Sequence, residues 1–240
     1  NVHLLLCENV AIRNVTVLND WSAQNGDALD MDSCRNVTVT DSLFDAGDDA
    51  ISTGAGDDSF LYSGVSNGFD TINGGSGNDL VRATANNTVI GLHSIANVET
   101  ISTGGFSNVS IVGSASADTL DFSNVALGGT FARIDGGAGN DLITGSAAVD
   151  TIVGGSGNDI LAGGQGNDTF QIGVSNGVDS FDGGVGSDTI IATAKNVAIG
   201  ISALTNVEII SSGGFAGVSI AGTAGADTLN FGTVTLSGIA

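Results

Sequence analysis

The sequence predicts an all-β solenoid in which short strands stack in many thin coils. Runs of Val, Ile and Thr broken by Gly, Asn and Asp recur throughout, whereas no long window carries apolar residues at helical spacing. The 240 residues include 38 Gly and no Pro, and aromatic residues make up only 5%. Many small residues and few aromatics suit a repeated thin coil better than a globular domain with a bulky core.

Four nonapeptides follow one another in a single frame between Gly136 and Gln171, reading GGAGNDLIT, GSAAVDTIV, GGSGNDILA and GGQGNDTFQ. Three of them match G-G-x-G-x-D-x-U-x, where U is a large apolar residue. Glycine at positions one, two and four permits positive φ and brings carbonyl oxygens close to an ion. The Asp at position six adds a hard anionic oxygen of the kind that Ca²⁺ prefers. Each nonapeptide is therefore predicted to form one turn and one short strand, with calcium as the cofactor.

The predicted metal ligands are the glycines and aspartates of these four turns: Gly136, Gly139, Asp141, Asp150, Gly154, Gly157, Asp159, Gly163, Gly166 and Asp168. The apolar residue at position eight of each nonapeptide is predicted to point into the core: Ile143, Ile152, Leu161 and Phe170. The run resembles the RTX (hemolysin-type) calcium-binding repeat family, in which each ion lies between turns stacked one coil apart. The resemblance implies two stacked pairs of turns, Asp141 with Asp159 and Asp150 with Asp168. Ser146 and Ala148 replace glycines in the second nonapeptide, so the second pair is expected to bind calcium more weakly.

Isolated units of the same kind lie outside the run, as GGSGNDLVR at Gly74 and GGVGSDTII at Gly183. Weaker calcium sites are predicted at Asp58, Asp79 and Asp188, because no equivalent turn lies nine or eighteen residues away. A longer repeat contains these units, since residues 64–129 realign on 173–238 at an offset of 109, with 37 of 66 positions identical. The blocks between nonapeptides are predicted to continue the solenoid with longer coils and few ions.

The first 52 residues have a different character. They contain Asn25-Gly26-Asp27 and Gly47-Asp48-Asp49 and, along their whole length, they are similar to the polygalacturonase-type glycoside hydrolases, which degrade pectin. The resemblance implies a right-handed parallel β-helix and inverting hydrolysis of an acidic plant polysaccharide. It also implies Asp48 as general acid, with Asp27 and Asp49 positioning the attacking water.

Two observations leave the activity of this segment open. The family's Gly-His-Gly and Arg-Ile-Lys elements are absent from the sequence. In addition, Gly47-Asp48-Asp49-Ala50-Ile51 is followed nine residues later by Gly56-Asp57-Asp58-Ser59-Phe60, so Asp49 can also be a turn aspartate of the calcium repeat. The predicted organisation is a truncated β-helix over residues 1–52 that continues into an RTX-type parallel β-roll over residues 53–240.

The net charge of −21 comes from 26 acidic and five basic residues. Such a chain is a poor partner for nucleic acid or an anionic membrane surface, and no apolar run approaches the length of a membrane span. Repulsion among the acidic turns is expected to keep the repeat region loose until calcium binds and drives folding. We therefore predict a secreted, extracellular calcium-binding module. A pectin hydrolase and an adhesin or matrix spacer are the alternatives.

Overall fold

The computed structural model describes residues 2–5, 9–13, 16–18, 29–32, 38–40, 43–45, 50–52, 55–65, 68–225 and 229–239. The described residues form strands and turns, and every pairing between their strands is parallel. The described part of the chain contains no helix with the length and hydropathy of a membrane span. Two compact units are present, one formed by Asn1–Val112 and Val125–Ala132 and the other by Gly113–Asn124 and Arg133–Ala240.

The first unit consists of short strands, most of them three or four residues long. In chain order they are β1 (Val2–Leu5), β2 (Ala11–Arg13), β3 (Thr16–Leu18), β4 (Leu29–Asp32), β5 (Thr38–Thr40), β6 (Leu43–Asp45), β7 (Ala50–Ser52), β8 (Ser59–Tyr62), β9 (Asp70–Asn73), β10 (Leu80–Ala83), β11 (Val89–Ala96), β12 (Thr100–Ser102), β13 (Ser110–Val112) and β15 (Ala126–Gly128).

Parallel sheets run along the first unit. One follows the order β1-β4-β7-β9-β11, and another follows the order β2-β5-β8-β10-β12-β15. The first coil is longer than the second, because Val2 pairs with Leu29, whereas Leu29 pairs with Ile51, which is nearer to it along the chain. Coils of different length thus keep their strands in register.

The second unit is built in the same way. Its strands are β14 (Thr119–Asp121), β16 (Ile134–Asp135), β17 (Leu142–Thr144), β18 (Thr151–Val153), β19 (Ile160–Ala162), β20 (Thr169–Ile172), β21 (Asp179–Asp182), β22 (Thr189–Ala192), β23 (Ala198–Thr205), β24 (Ile209–Ser211), β25 (Ser219–Ala221) and β26 (Thr235–Ser237).

Two faces of the second unit carry parallel sheets, β14-β17-β19-β21-β23 and β16-β18-β20-β22-β24-β26. Consecutive nonapeptides alternate between these sheets, so two nonapeptides complete one coil. Leu142 accordingly pairs with Ile160, which has the same position two nonapeptides later. Thr169 pairs with Thr189, so the following coil is slightly longer than two nonapeptides.

Large apolar side chains at the strand centres fill the thin core. The residues at position eight of the four nonapeptides are all 0–1% exposed: Ile143, Ile152, Leu161 and Phe170. Phe170 and Phe181 meet edge to face, with ring centroids 5.4 Å apart. Burial of this one residue in nine is the main apolar contribution of each half-coil.

The predicted fold class, an all-β parallel solenoid, is confirmed. Short apolar runs in the N-terminal segment predict strands at residues 10–12, 15–18, 29–31, 37–40 and 50–52, and a strand is present within one residue of each of these positions. The longer coils expected between the nonapeptides are also present, because β11 pairs with β13 through Val89 and Ser110, which lie further apart than two nonapeptides. The boundary near residue 52 stays a prediction.

Candidate metal centres

Each Gly-Gly turn packs its backbone directly on the turn one coil away. Gly155 and Gly157, at positions two and four of their nonapeptide, have φ of 103° and 134°, a region that glycine enters without strain. A Cβ on either residue would collide with a carbonyl oxygen of the preceding coil, that of Gly137 or that of Gly139. Glycine is therefore required here for both backbone angle and close approach, and the result is a column of stacked carbonyl groups.

The aspartates at position six form ladders along the solenoid. In one ladder of the second unit, which we call the Asp159 ladder, the backbone N–H of each residue donates to Oδ1 of the next at 2.9 Å. Its members are Asp118, Asp141, Asp159 and Asp179. The separations are 23, 18 and 20 residues, so the ladder continues through coils of different length.

A second ladder of this unit, which we call the Asp168 ladder, has the same geometry. The N–H of Asp150 donates to Oδ1 of Asp168 at 2.8 Å, and that of Asp168 donates to Oδ1 of Asp188 at 2.7 Å. The N–H of Asp188 then donates to Oε2 of Glu208 at 2.7 Å, so a glutamate ends the ladder.

The first unit contains a shorter version, which we call the Asp79 ladder. The N–H of Asp58 donates to Oδ1 of Asp79 at 2.8 Å, and the N–H of Asp79 donates to Oε2 of Glu99 at 2.7 Å. Asp79 and Glu99 correspond to Asp188 and Glu208 at the offset of the long sequence repeat. The two units therefore end a ladder in the same way.

One oxygen of most ladder carboxylates is buried without a hydrogen-bond partner. Within the described residues this holds for Oδ2 of Asp79, Asp141, Asp159, Asp168, Asp179 and Asp188. These side chains are at most 2% exposed. A buried carboxylate oxygen that lacks a donor has a free-energy cost, because it has lost its hydrogen bonds to water and has gained none from the protein. A cation bound at each such oxygen would remove that cost.

Backbone carbonyl oxygens lie close to these carboxylate oxygens. A Cβ built on Gly136 would lie 2.5 Å from Oδ2 of Asp141 and 2.5 Å from the carbonyl oxygen of Gly154. Beside Gly163, Oδ2 of Asp168 and the carbonyl oxygen of Gly183 converge in the same way. The absence of a side chain at position one thus lets a carboxylate oxygen of its own turn and a carbonyl oxygen of the next turn approach the same point.

The turn of the second nonapeptide differs from this pattern. Ser146 occupies position two and donates to Oδ2 of Asp150 through its backbone N–H at 2.7 Å and its hydroxyl at 2.9 Å. Ser114 contacts Asp118 in a similar way, its hydroxyl donating to Oδ1 at 2.9 Å. A serine at position two therefore supplies the hydrogen bonds that a Gly-Gly turn does not supply.

Burial raises the pKa values of the ladder aspartates above the usual 3.8. The pKa is about 6 for Asp79, Asp141 and Asp168, and about 7 for Asp179. The charges of neighbouring carboxylates on the same ladder raise these pKa values further, as Asp159 does for Asp179. Deprotonation of several stacked carboxylates is thus unfavourable unless a cation compensates their negative charge.

Within the described residues, no three acidic, His or Cys side chains converge as a metal site made only of side chains requires. A cation here would therefore take backbone carbonyl oxygens as ligands besides carboxylate oxygens. Calcium fits this donor set, because it accepts six to eight oxygen ligands in flexible geometry and readily uses carbonyl groups. Buried carboxylate oxygens without donors and carbonyl oxygens beside them are consistent with calcium at the stacked turns.

The predicted stacking of Asp141 with Asp159, and of Asp150 with Asp168, is present in the structure. The expectation that the outlying turns stand alone is wrong, because Asp58 stacks with Asp79 and Asp188 with Asp168, 21 and 20 residues apart. Spacings of one or two nonapeptides do not describe these pairs. Inserted turn residues lengthen a coil and leave the strand register intact, so such spacings are too strict.

Several ladder members were missed by sequence reasoning as ligand candidates, namely Glu99, Asp118, Asp179 and Glu208. A signal was available, because each lies two residues before a large apolar side chain that is fully buried. The four apolar residues are Ile101, Leu120, Phe181 and Ile210. An acidic residue at this distance from a core residue is thus a further indication of a ladder position.

The predicted catalytic residues Asp27, Asp48 and Asp49 lie outside the described residues. The strands that follow them, β4 and β7, pair Leu29 with Ile51. The offset of this pairing along the chain equals the spacing between Asp27 and Asp49. Their assignment as an acid and water-positioning groups stays a prediction.

Comparison with known families supports both resemblances. Residues 65–90, 133–170 and 175–194 match the family model of the RTX calcium-binding nonapeptide repeat, in four copies. Residues 1–77 match the model of the Glycosyl hydrolases family 28. Neither the curated proteins nor the solved structures gave a match. The chain therefore combines RTX calcium-binding nonapeptide repeats with an N-terminal segment that is similar to the polygalacturonase family.

Proposed function

We propose that this chain is a secreted calcium-binding module whose repeat region folds into its solenoid when calcium binds outside the cell. The observation that carries the proposal is the row of buried carboxylate oxygens without hydrogen-bond partners, stacked beside glycine carbonyl oxygens. Asp159 is representative, because it is 2% exposed, its Oδ1 accepts from Asp141, and its Oδ2 has no partner.

The residues that would hold calcium are the turn aspartates and the glycines whose carbonyl groups lie next to them. Bound calcium would supply positive charge and oxygen coordination where the protein offers only acceptors. The chain's own contribution is to fix each carboxylate through a backbone N–H of the neighbouring coil. Because the unfolded chain has no preformed site, binding energy becomes folding energy.

The net charge of −21 supports folding that depends on calcium. At neutral pH the ladder carboxylates repel one another, and few basic residues compensate them within the described chain, where Arg133 pairs with Asp135 at 2.8 Å. Extracellular calcium modules bind with dissociation constants of roughly 10⁻⁴ to 10⁻³ M. A module of this affinity would be loosely folded inside a cell and folded outside it, which suits export by type I secretion, the usual route of RTX proteins.

Far-UV circular dichroism during a calcium titration tests this function, with magnesium as the control ion. We expect a calcium-selective rise in β-sheet signal with a midpoint of roughly 10⁻⁴ to 10⁻³ M. Magnesium should not replace calcium, because it demands near-ideal octahedral geometry and gives up its water reluctantly. A chain with the same β-sheet signal with and without calcium would argue against the proposal.

A second candidate function, hydrolysis of pectin, is favoured by the family 28 match over residues 1–77. We infer the roles of Asp27, Asp48 and Asp49 from that resemblance, with two carboxyl groups acting as acid and base around a water molecule. The test is release of reducing ends from polygalacturonate by the calcium-loaded chain. Activity that Asp48→Asn abolishes would support hydrolysis, and no release by a well-folded sample would exclude it.

A further inference from the structure

The Asp79 and Asp168 ladders end on an element that belongs to no nonapeptide. Asn97-Val98-Glu99 and Asn206-Val207-Glu208 follow the last Gly-Gly turn of each ladder by one coil. Their glutamates accept the backbone N–H of Asp79 and of Asp188, both at 2.7 Å. The Asn-Val-Glu element thus takes the place that a further aspartate turn would occupy.

The asparagine supplies the carbonyl group that a glycine supplies elsewhere. Asn97 and Asn206 both have φ of 51°, a left-handed conformation that asparagine tolerates better than most residues. Their carbonyl oxygens face Gly74 and Gly183, where a Cβ would also lie 2.6 Å from Oδ2 of Asp79 or Asp188. In the nonapeptide run, the carbonyl oxygen of Gly154 has this position beside Gly136.

The asparagine side chains fix this conformation. Nδ2 of Asn97 donates to Oδ1 of Asn73 at 2.8 Å, and Nδ2 of Asn206 donates to Oδ1 of Asp182 at 2.8 Å. The same constellation therefore occurs twice, once in each unit. A packing accident at one turn is a poor explanation for such a repeated arrangement.

Each element faces a buried oxygen that has no donor. Asp79 is 1% exposed and Asp188 is 0% exposed, and neither Oδ2 has a hydrogen-bond partner within the described residues. Glu99 is exposed and Glu208 is half-buried, so each site is open to solvent on the glutamate side. A buried carboxylate next to a second carboxylate and a carbonyl oxygen attracts a hard cation and repels an anion.

We propose that each Asn-Val-Glu element completes a calcium site of its own at the end of its ladder. One site uses Asp79, the carbonyl oxygen of Asn97 and Glu99. The other uses Asp188, the carbonyl oxygen of Asn206 and Glu208. This inference rests on the proposed calcium-binding function, and it extends the metal-binding part of the chain beyond the nonapeptides. Glutamate at this place is a ligand as well as an acceptor for the backbone N–H.

Isothermal titration calorimetry of the full chain with calcium distinguishes the two roles of the glutamates. Glu99→Gln and Glu208→Gln keep an oxygen that accepts the backbone N–H but remove the charge. We expect each variant to bind one calcium ion fewer, or to bind it at least tenfold more weakly, and the double variant to lose both. Asp121→Asn is the matched control, because Asp121 is exposed and lies off the ladders.

The outcomes separate this inference from the proposed function. Folded variants that bind calcium like the wild type, while Asp159→Asn loses calcium, would overturn the role of the glutamates alone. A wild-type chain that binds no calcium would overturn both proposals. Far-UV circular dichroism at saturating calcium verifies the fold of each variant. If Glu99→Gln does not fold, Glu208→Gln tests the same geometry in the second unit.

Discussion

The backbone N–H of Asp141 donates a 2.9 Å hydrogen bond to Oδ1 of Asp159, which lies 18 residues further along the chain. This bond fixes one carboxylate oxygen of Asp159 and leaves the other, Oδ2, buried without a donor. The relation repeats along each ladder, so every coil orients the carboxylate of the next one. We therefore expect calcium binding at one turn to be coupled to the stacking of its neighbours.

Asp159→Asn tests a ladder carboxylate directly. The amide keeps an oxygen that can accept the N–H of Asp141, so the fold should survive at high calcium, whereas the lost charge weakens the site. We expect the calcium midpoint in circular dichroism to rise roughly tenfold, since charge count sets affinity in such sites. Asp121→Asn should leave the midpoint unchanged. An unchanged midpoint in Asp159→Asn would exclude this carboxylate as a ligand.

Ser146→Gly should strengthen calcium binding at the Asp150 turn. Ser146 donates two hydrogen bonds to Oδ2 of Asp150, and that oxygen would become available once the hydroxyl is removed and the turn can adopt the Gly-Gly conformation. We expect a lower calcium midpoint and a less stable calcium-free chain. Calorimetry and urea unfolding in the presence of a chelator measure the two effects. Weaker calcium binding in the variant would show that Ser146 supports the site.

Gly154→Ala should damage a site without straining the backbone, because Gly154 does not have a positive φ. The added methyl group would meet the carboxylate of Asp159, with Cγ at 3.0 Å. We expect weaker calcium binding and a loss of stability of about 1–3 kcal/mol from overpacking.

Gly173→Ala is the matched control for this substitution. Its Cβ would meet only Oδ1 of Asn176 at 3.6 Å and Oγ1 of Thr193 at 3.7 Å, which are ordinary contacts. We expect its calcium titration and unfolding curve to match the wild type. Equal effects of the two alanines would mean that the close approach of the Asp159 carboxylate to Gly154 has no special role.

The calcium-free chain should be more folded at pH 5 than at pH 7.5. Burial raises the pKa of Asp141 and Asp168 to about 6 and that of Asp179 to about 7, from about 3.9 in an unfolded chain. The folded state therefore binds more protons, so this stabilisation is complete below about pH 4 and is lost as pH rises through 6 to 7. Circular dichroism of calcium-depleted protein measures the effect.

Calcium affinity should show the opposite pH dependence, because protons compete with calcium for the same carboxylates. It should rise between pH 5.5 and pH 7.5. A calcium-free chain that is less folded at pH 5 than at pH 7.5 would contradict the assignment of these raised pKa values.

The sequence predicts the repeating part of the fold well because the period of the motif is also the period of the structure. Ile143 and Phe170 are buried where position eight predicts, since each nonapeptide of the run buries one large apolar side chain in the thin core. The ladder partners of Asp79 and Asp188 could not be found from a fixed period. Their coils are lengthened by turn residues. The register is set by strand pairing, which the spacing of the glycines does not predict.

Glutamate at the ladder ends was harder to predict. Glu99 lies in a segment without Gly-Gly, and its relation to Asp79 arises only when the two coils stack. Asn97 is the other residue that defines this ladder end, because it adopts the positive φ that glycine adopts in the other turns. Such positions are visible from sequence only when an acidic residue is read together with the buried Ile101 two residues later.

A crystal structure of the calcium-loaded chain, with anomalous difference maps recorded at long wavelength, would locate the ions. We expect calcium peaks between stacked turns, next to Oδ2 of Asp141, Asp159 and Asp168, with backbone carbonyl oxygens as further ligands. We expect a weaker peak or none at Asp150, where Ser146 already supplies hydrogen bonds. Ordered Gly-Gly turns without anomalous peaks at saturating calcium would mean that the ladders are structural and that calcium does not bind between them.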